Sequence, residues 1–101
     1  IATNKYLCDF SSEYNVGFIE EPLPRDVKMY SELVRATNVN ISIGETFSMS
    51  EQFSIWAQNG AVDIFQPDAN LVGMREAIKV FDIALKHGKQ IVPHNWSNSI
   101  A

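Results

Sequence analysis

Residues 39–68 read VNISIGETFSMSEQFSIWAQNGAVDIFQPD, and this stretch decides the fold. It contains two short apolar runs, Val39–Gly44 and Ala61–Gln66, each bounded by polar or turn-forming residues. Apolar residues in the segment between the runs recur at helical spacing: Phe53, Trp56 and Ala57. The first run is followed by Glu45 and the second, after a proline, by Asp68. The stretch therefore predicts a strand, a helix and a second strand, with a carboxylate after each strand.

The same unit recurs on both sides of this stretch. An apolar run at 17–19 ends at Glu20, and a run at 90–93 ends at His94. The four polar residues Glu20, Glu45, Asp68 and His94 follow one another at intervals of 25, 23 and 26 residues (45−20, 68−45 and 94−68). Such spacing is typical of a repeated strand-helix unit in which each strand delivers one functional group at its carboxyl end.

Helical segments separate these strands. Helices are predicted over residues 2–14, from an N-cap at Asp26, from a capping box of Ser48 and Glu51, and over residues 73–87. The last helix, which Gly88 ends, is predicted to turn five residues inward: Ala77, Ile78, Phe81, Ala84 and Leu85.

Alternation of strands and helices predicts an α/β fold with about four parallel strands joined by right-handed crossovers. The chain contains neither G-x-G-x-x-G nor G-x-x-x-x-G-K-[ST], which weakens a nucleotide-binding interpretation. The period suits a (β/α)8 TIM barrel, which places functional groups at the carboxyl ends of its strands and needs about 200–250 residues. The predicted fold is therefore a partial (β/α)8 TIM barrel, and the chain of 101 residues looks like a piece of something longer.

Composition and charge argue against two classes of binding partner, nucleic acids and membranes. The net charge of −4 and pI of about 5.0 argue against nucleic acid, whose binding needs clustered Lys and Arg. No apolar run approaches the roughly 18 residues of a membrane span, so no membrane association is expected. The single cysteine, Cys8, excludes an internal disulfide and favours a reducing, cytoplasmic location.

The four strand-end residues suggest a metal site beside an acid/base pair. Glu20 and Glu45, at neighbouring strand ends, would repel each other, and Mg²⁺ is the usual cation that relieves such repulsion. Only one residue of the pair Glu20 and Glu21 can face the site, because consecutive strand residues point to opposite faces. Asp68 could orient His94 for proton transfer, with Trp96 as a pocket wall.

These short motifs resemble the successive strand ends of the enolase superfamily, in order and at the right spacing. The motifs are Phe18-Ile19-Glu20-Glu21-Pro22, Ile43-Gly44-Glu45, Gln66-Pro67-Asp68-Ala69 and Val92-Pro93-His94. The chain most resembles the mandelate racemase subgroup, which includes acid-sugar dehydratases. The resemblance covers nearly all of residues 1–101, which would be the C-terminal part of the catalytic barrel.

The resemblance implies a role for each residue. Glu20 and Glu45 would be Mg²⁺ ligands, and His94, paired with Asp68, the general base or acid. The substrate would be a carboxylate with an α-proton, such as an acid sugar, and its enediolate would be stabilised by the metal in a dehydratase (lyase) or racemase. The family's third metal ligand, an Asp, and its lysine-bearing strand have no counterpart here, and Asp9 is no substitute. Whether this chain is itself an enzyme therefore stays open.

Three interpretations remain at this point. The chain could be a half-barrel of such an enzyme, inactive alone, with substrate identity and the choice between dehydration and racemisation undetermined. It could be a non-catalytic half-barrel that self-associates as a homo-oligomer through its open strand edges. It could also be a small doubly wound binding domain, in which Glu20 and Glu45 lie too far apart to share one ion.

Overall fold

A computed structural model describes the backbone of residues 2–95 and the side chains of residues 5–95, so the predicted role of Trp96 lies outside the described residues. The helices and strands alternate along the chain. In order they are α1 (Ala2–Glu13), β1 (Phe18–Glu20), α2 (Val27–Ala36), β2 (Asn40–Ile43), α3 (Ser50–Gln58), β3 (Ile64–Phe65), α4 (Ala69–His87) and β4 (Gln90–Ile91).

The four strands form one parallel sheet in the order β1-β2-β3-β4. In the register, Glu20 lies beside Ser42, Ser42 beside Ile64, and Ile64 beside Gln90. Each crossover therefore moves the chain one strand further in the same direction, as in a (β/α)8 barrel. A doubly wound sheet reverses its strand order at a switch point, so the third interpretation fails and the predicted α/β architecture is confirmed.

The core between sheet and helices is built around aromatic side chains. Phe53 of α3 packs edge-on against Phe47 and Phe65, with ring centroids 5.0 and 5.1 Å apart. Trp56 meets Tyr30 of α2 in the same manner at 4.8 Å. Edge-to-face contacts of this kind add to the free energy of burial. The inward face predicted for α3 is thus confirmed, and it joins α2 and β3 into one core.

The face predicted for α4 is only partly right. Ala77 and Ala84 are buried, but Ile78, Phe81 and Leu85 are 58%, 50% and 84% exposed. The small side chains of Ala77 and Ala84 allow α4 to pack close to the rest of the core. The larger side chains of Ile78, Phe81 and Leu85 form a second, exposed stripe along the helix. Among the described residues, this second stripe has no packing partner that buries it.

Two helix starts differ from prediction, whereas Asp26 caps α2 as expected by accepting the N–H of Met29 at 2.9 Å. Helix α3 begins at Ser50, and the predicted capping box of Ser48 and Glu51 is wrong. The Oε1 atom of Gln52 instead accepts the N–H groups of Ser48 and Met49, at 2.9 and 3.1 Å. Gln52, at the third position of the helix, thus makes the reciprocal bond of a capping box with Met49 rather than Ser48 as the N-cap residue.

Helix α4 starts at Ala69, one turn before the predicted position. Asp68 is its N-cap, and Gly73, with φ of 79°, interrupts the helix after that first turn. The predicted start therefore marks a kink, and glycine is the residue that permits it. Gly88 ends the helix as predicted, in the left-handed region at φ of 66°.

No helix over residues 2–95 combines the length and the apolar character that crossing a lipid bilayer requires.

Gly44, directly before Glu45, offers a test of the packing at the end of β2. Its φ is 129°, and a Cβ atom there would lie 2.5 Å from Cε1 of Phe53. Gly44→Ala is expected to lower the free energy of unfolding by about 2–4 kcal/mol, because backbone strain and overpacking add. Urea unfolding followed by tryptophan fluorescence measures this. Gly17→Ala, where a Cβ would meet nothing, is the control, and equal effects of the two variants would contradict the prediction.

Candidate active site

The four residues singled out from the sequence all lie at the carboxyl edge of the sheet. Glu20 is the last residue of β1, and the other three follow the ends of β2, β3 and β4. Backbone pairing continues past the strands, since the N–H of His94 donates to the carbonyl of Pro67 at 3.0 Å. The loop that follows β4 is thereby held against the loop that follows β3, which brings His94 beside Asp68.

Asp68 and His94 form a hydrogen-bonded dyad. Nδ1 of His94 lies 3.0 Å from Oδ2 of Asp68, while Oδ1 of Asp68 accepts the N–H of Asn70 at 2.9 Å. The hydrogen bond from His94 holds the pKa of Asp68 below its usual value, and Asn70 adds to this effect. Because an ionised Asp68 only accepts, we assign the proton to Nδ1 of the imidazole.

The other imidazole nitrogen contacts the second carboxylate of the set. Nε2 of His94 lies 2.9 Å from Oε2 of Glu45. The pKa of His94 is raised, first by its hydrogen bond to Asp68 and further by the charge of Glu45. The ring therefore bridges two acidic groups that are carried by two different strands, and the three side chains form one cluster.

Glu20 is the fourth member, and Glu21 is not. The pKa of Glu20 is raised by partial burial of its carboxyl group, by the charge of Glu45 and by a hydrogen bond with Glu45. Glu21 turns away, with φ of 41°, and its Oε2 pairs with Nη2 of Arg25 at 3.2 Å. The two residues thus separate as the strand alternation predicts, and Glu20 is close enough to Glu45 to share one ion with it.

A pocket of about 340 Å³ opens beside the dyad. Its lining consists of Glu45, Thr46, Asp68, Asn70, Leu71 and His94. Sequence reasoning missed Thr46 and Leu71, although both stand within three residues of a strand-end carboxylate. That proximity is the one signal that could have identified them.

The donor set fits Mg²⁺. Glu20 and Glu45 crowd two carboxylates together, and a divalent cation would offset their repulsion. Among the side chains of residues 5–95, no group of three or more His, Cys, Asp or Glu is arranged to hold a metal ion. Mg²⁺ is usually bound by one or two carboxylates, with water and substrate in its other positions, so two carboxylates fit part of such a site.

A parallel sheet wound in one direction, with its polar groups gathered at the carboxyl ends of the strands, defines the (β/α)8 class of domain. Residues 2–101 match the family described as enolase C-terminal domain-like, and the chain belongs to that family. The predicted resemblance to the enolase superfamily is confirmed.

The relatives include sugar-acid enzymes. L-talarate/galactarate dehydratase of Salmonella typhimurium is 33% identical over 84 residues, which cover 81% of this chain and 21% of that protein. D-galactarolactone cycloisomerase of Agrobacterium fabrum is 31% identical over 98 residues, covering 93% of this chain and 25% of that protein.

A solved structure shares the fold over nearly the whole chain. It is L-talarate dehydratase from Polaromonas sp. JS666 complexed with Mg and L-glucarate, with a TM-score of 0.86 and 26% identity. The match covers 94% of this chain and 27% of that one. The chain therefore spans about a quarter of the length of the relatives it matches.

Asp68 is both the hydrogen-bond partner of His94 and the N-cap of α4, and a substitution can separate these two roles. Asp68→Asn is expected to lower the pKa of His94, because the amide cannot supply the negative charge, while Asn remains a good N-cap for α4. A raised histidine pKa stabilises the fold below the unfolded-state value, and this contribution disappears as the pH rises through the folded-state value. The variant should therefore lose stability chiefly at acidic pH.

The measurement is an NMR titration of the His94 ring protons, paired with thermal unfolding at several pH values. Asp82→Asn, on the exposed face of α4, is the matched control for loss of one carboxylate. An unchanged His94 pKa in Asp68→Asn would show that the dyad does not form in solution.

Proposed function

We propose that this chain supplies part of the active site of a Mg²⁺-dependent enzyme that removes the α-proton of an acid-sugar carboxylate. The observation that carries the proposal is the imidazole of His94, held between Asp68 at 3.0 Å and Glu45 at 2.9 Å. The proton-transfer group thereby shares a pocket with Glu45, and Glu20 lies beside Glu45 as the second carboxylate of a pair suited to Mg²⁺. Dehydration or racemisation would follow from this same first step.

In this proposal Glu20 and Glu45 are the metal ligands. When bound, Mg²⁺ supplies positive charge that binds the substrate carboxylate and stabilises the negative charge developing on it. Glu20 ends β1 and Glu45 follows the adjacent strand β2, so the pairing of these two strands brings the two glutamates near each other. The remaining metal ligand and the lysine expected for the family would come from outside residues 1–101, which we propose to be the C-terminal part of the catalytic barrel.

His94 is the residue that moves the proton. Its Nδ1–H donates to Asp68. With Glu45 bound to Mg²⁺ rather than to Nε2 of His94, the lone pair of Nε2 would be free to accept the α-proton while the C–H electron pair stays on the substrate. The Asp68 carboxylate then stabilises the imidazolium that forms. In a dehydratase, the same Nε2–H can donate to the departing β-hydroxyl group, which leaves as water and returns the imidazole to its starting state.

The relatives support the substrate class. The two curated relatives named above are a dehydratase of L-talarate and galactarate and a cycloisomerase of D-galactarolactone. The Polaromonas structure contains Mg and L-glucarate. A polyhydroxylated carboxylate is the chemistry these names share, and the hydrogen-bonding side chains among the residues that line the pocket could bind its hydroxyl groups.

Metal binding is the direct test of the proposed site. Isothermal titration with Mg²⁺ should show weak binding, and Glu45→Gln should abolish it, because a neutral amide is a poorer ligand and no longer pairs with Glu20. Glu13→Gln, an exposed glutamate at the end of α1, removes the same charge far from the site and should leave binding unchanged.

The outcome that contradicts this proposal is an absence of binding at millimolar Mg²⁺ in the unsubstituted chain. Equal loss of affinity in Glu13→Gln and Glu45→Gln would also count against it, because binding would then follow net charge alone.

A second candidate function is self-association into a closed barrel. Apolar side chains are exposed on both outer helices, as stripes at helical spacing. They are Tyr6 and Phe10 on α1 with Tyr14 directly after its end, and Met74, Ile78, Phe81 and Leu85 on α4. The two edge strands also expose apolar residues, Phe18 on β1 and Val92 after β4. Contiguous apolar surface of this kind marks an interaction site.

A second copy fits this surface because of the order of the elements. Helix α1 precedes β1, so α1 of a second copy would lie against α4 when its β1 pairs with β4. Two such contacts, related by a twofold axis, would complete eight strands and eight helices. Exposed Glu13 near the end of α1 would then approach Lys86 near the end of α4, with opposite charges.

Sedimentation velocity separates this candidate from a monomer. We expect a dimer, and Phe81→Glu should dissociate it, because a buried unpaired charge is costly at the contact. Ile55→Glu is the matched control, since Ile55 is 45% exposed on α3, away from both edges. A compact monomer at all concentrations would refute self-association and leave the proposed active site untouched.

A further inference from the structure

The carboxylate of Glu76 connects two neighbouring helices. Glu76 lies on α4, and its Oε1 accepts both the backbone N–H and the hydroxyl of Ser50, at 2.9 and 3.0 Å. Ser50 is the first residue of α3. The second oxygen, Oε2, pairs with Nζ of Lys79 at 3.0 Å. Both carboxylate oxygens are therefore engaged, which sets the orientation of the group.

The electrostatic surroundings keep this carboxylate ionised. The backbone N–H of Ser50, Lys79 and the Ser50 hydroxyl together lower the pKa of Glu76 to about 2. The negative charge also lies at the amino end of α3, where the helix dipole favours an anion. At neutral pH the carboxylate is therefore ionised and able to accept both hydrogen bonds from Ser50.

The start of α3 controls a short loop that carries a site residue. Residues 45–49 join β2 to α3, and Glu45 is the first of them. At the strand end, the N–H of Phe47 donates to the carbonyl of Gly44 at 3.1 Å. At the helix end, the loop is fixed by the position of Ser50. A loop of five residues has little freedom when both of its ends are held.

We propose that Glu76 is a positioning residue that holds the loop of Glu45 at the geometry the site requires, by fixing the first residue of α3 to α4. Helix α4 is capped by Asp68, the partner of His94. Through Ser50, Glu76 therefore connects the loop that carries Glu45 to α4, the helix whose N-cap residue, Asp68, is the partner of His94. The part of this inference that concerns Mg²⁺ rests on the proposed function, and the part that concerns the loop does not.

The loop is tested first, without metal, by amide hydrogen exchange. Glu76→Ala should accelerate exchange of residues 46–50 by about tenfold or more, since charge-assisted hydrogen bonds are lost locally. Exchange in β2 and β3 should change far less. Glu76→Gln keeps an oxygen that can accept from Ser50 and should show a smaller increase in the exchange rate. This variant replaces Glu76→Ala in the experiment if the alanine variant does not fold.

Glu51→Gln is the matched control, because Glu51 lies in the first turn of α3 and is exposed. It removes the same charge from the same helix end without touching α4. Positioning by Glu76 is overturned if exchange rises evenly over the chain, if residues 46–50 do not respond, or if Glu51→Gln has the same effect.

The second measurement is the Mg²⁺ dissociation constant, taken well below the unfolding temperature of every variant. Glu76→Ala should raise it up to about tenfold, because the loop that carries Glu45 is then no longer held at Ser50. Ser50→Ala should raise it less, and the double variant should match Glu76→Ala. If Glu76→Ala lowers the unfolding temperature but leaves the Mg²⁺ dissociation constant unchanged, Glu76 stabilises the fold without positioning the site. If the unsubstituted chain binds no Mg²⁺, the proposed function fails, and the exchange experiment still decides the loop.

Discussion

The hydrogen bond from the N–H of His94 to the carbonyl of Pro67 is the last rung of a parallel ladder on which the site depends. The ladder starts at β1 and passes from strand to strand in chain order. Because every strand runs in the same direction, every carboxyl end reaches the same edge. Four residues separated by more than 20 positions in the chain thus become neighbours, and no local interaction could bring them together.

That convergence creates an electrostatic conflict. Three carboxylates and one imidazole occupy one edge of the sheet. The pKa of Glu20 is raised and that of Asp68 is lowered, because the two carboxylates differ in the hydrogen-bond donors and charges around them. Asp68 has partners for both oxygens, whereas Glu20 meets a like charge. A site in which neighbouring acidic groups are driven apart in pKa is typical of functional centres.

The sequence predicted the elements well because their signals are local. Strand ends, the Asp26 cap and the Gly88 stop follow from residues within one turn of each other. Predictions failed where a distant group decided the outcome. The start of α3 depends on Gln52 and on Glu76 from another helix, and the inward face of α4 depends on which stripe finds a neighbour. Thr46, in the loop after β2, and Leu71, in the first turn of α4, line the pocket together, and their nearness to Glu45 and Asp68 was the only sequence signal for this.

By itself the sequence determined the alternation of strands and helices, the positions of the four candidate residues at the strand ends and the spacing that suits a barrel, because period and composition act along the chain. Only the tertiary structure decided the strand order, the pairing of Glu21 with Arg25, and the contacts of His94 with Asp68 and Glu45. Those features arise between segments that are far apart in sequence. Their energies depend on distance and burial in the folded chain, which periodicity does not encode.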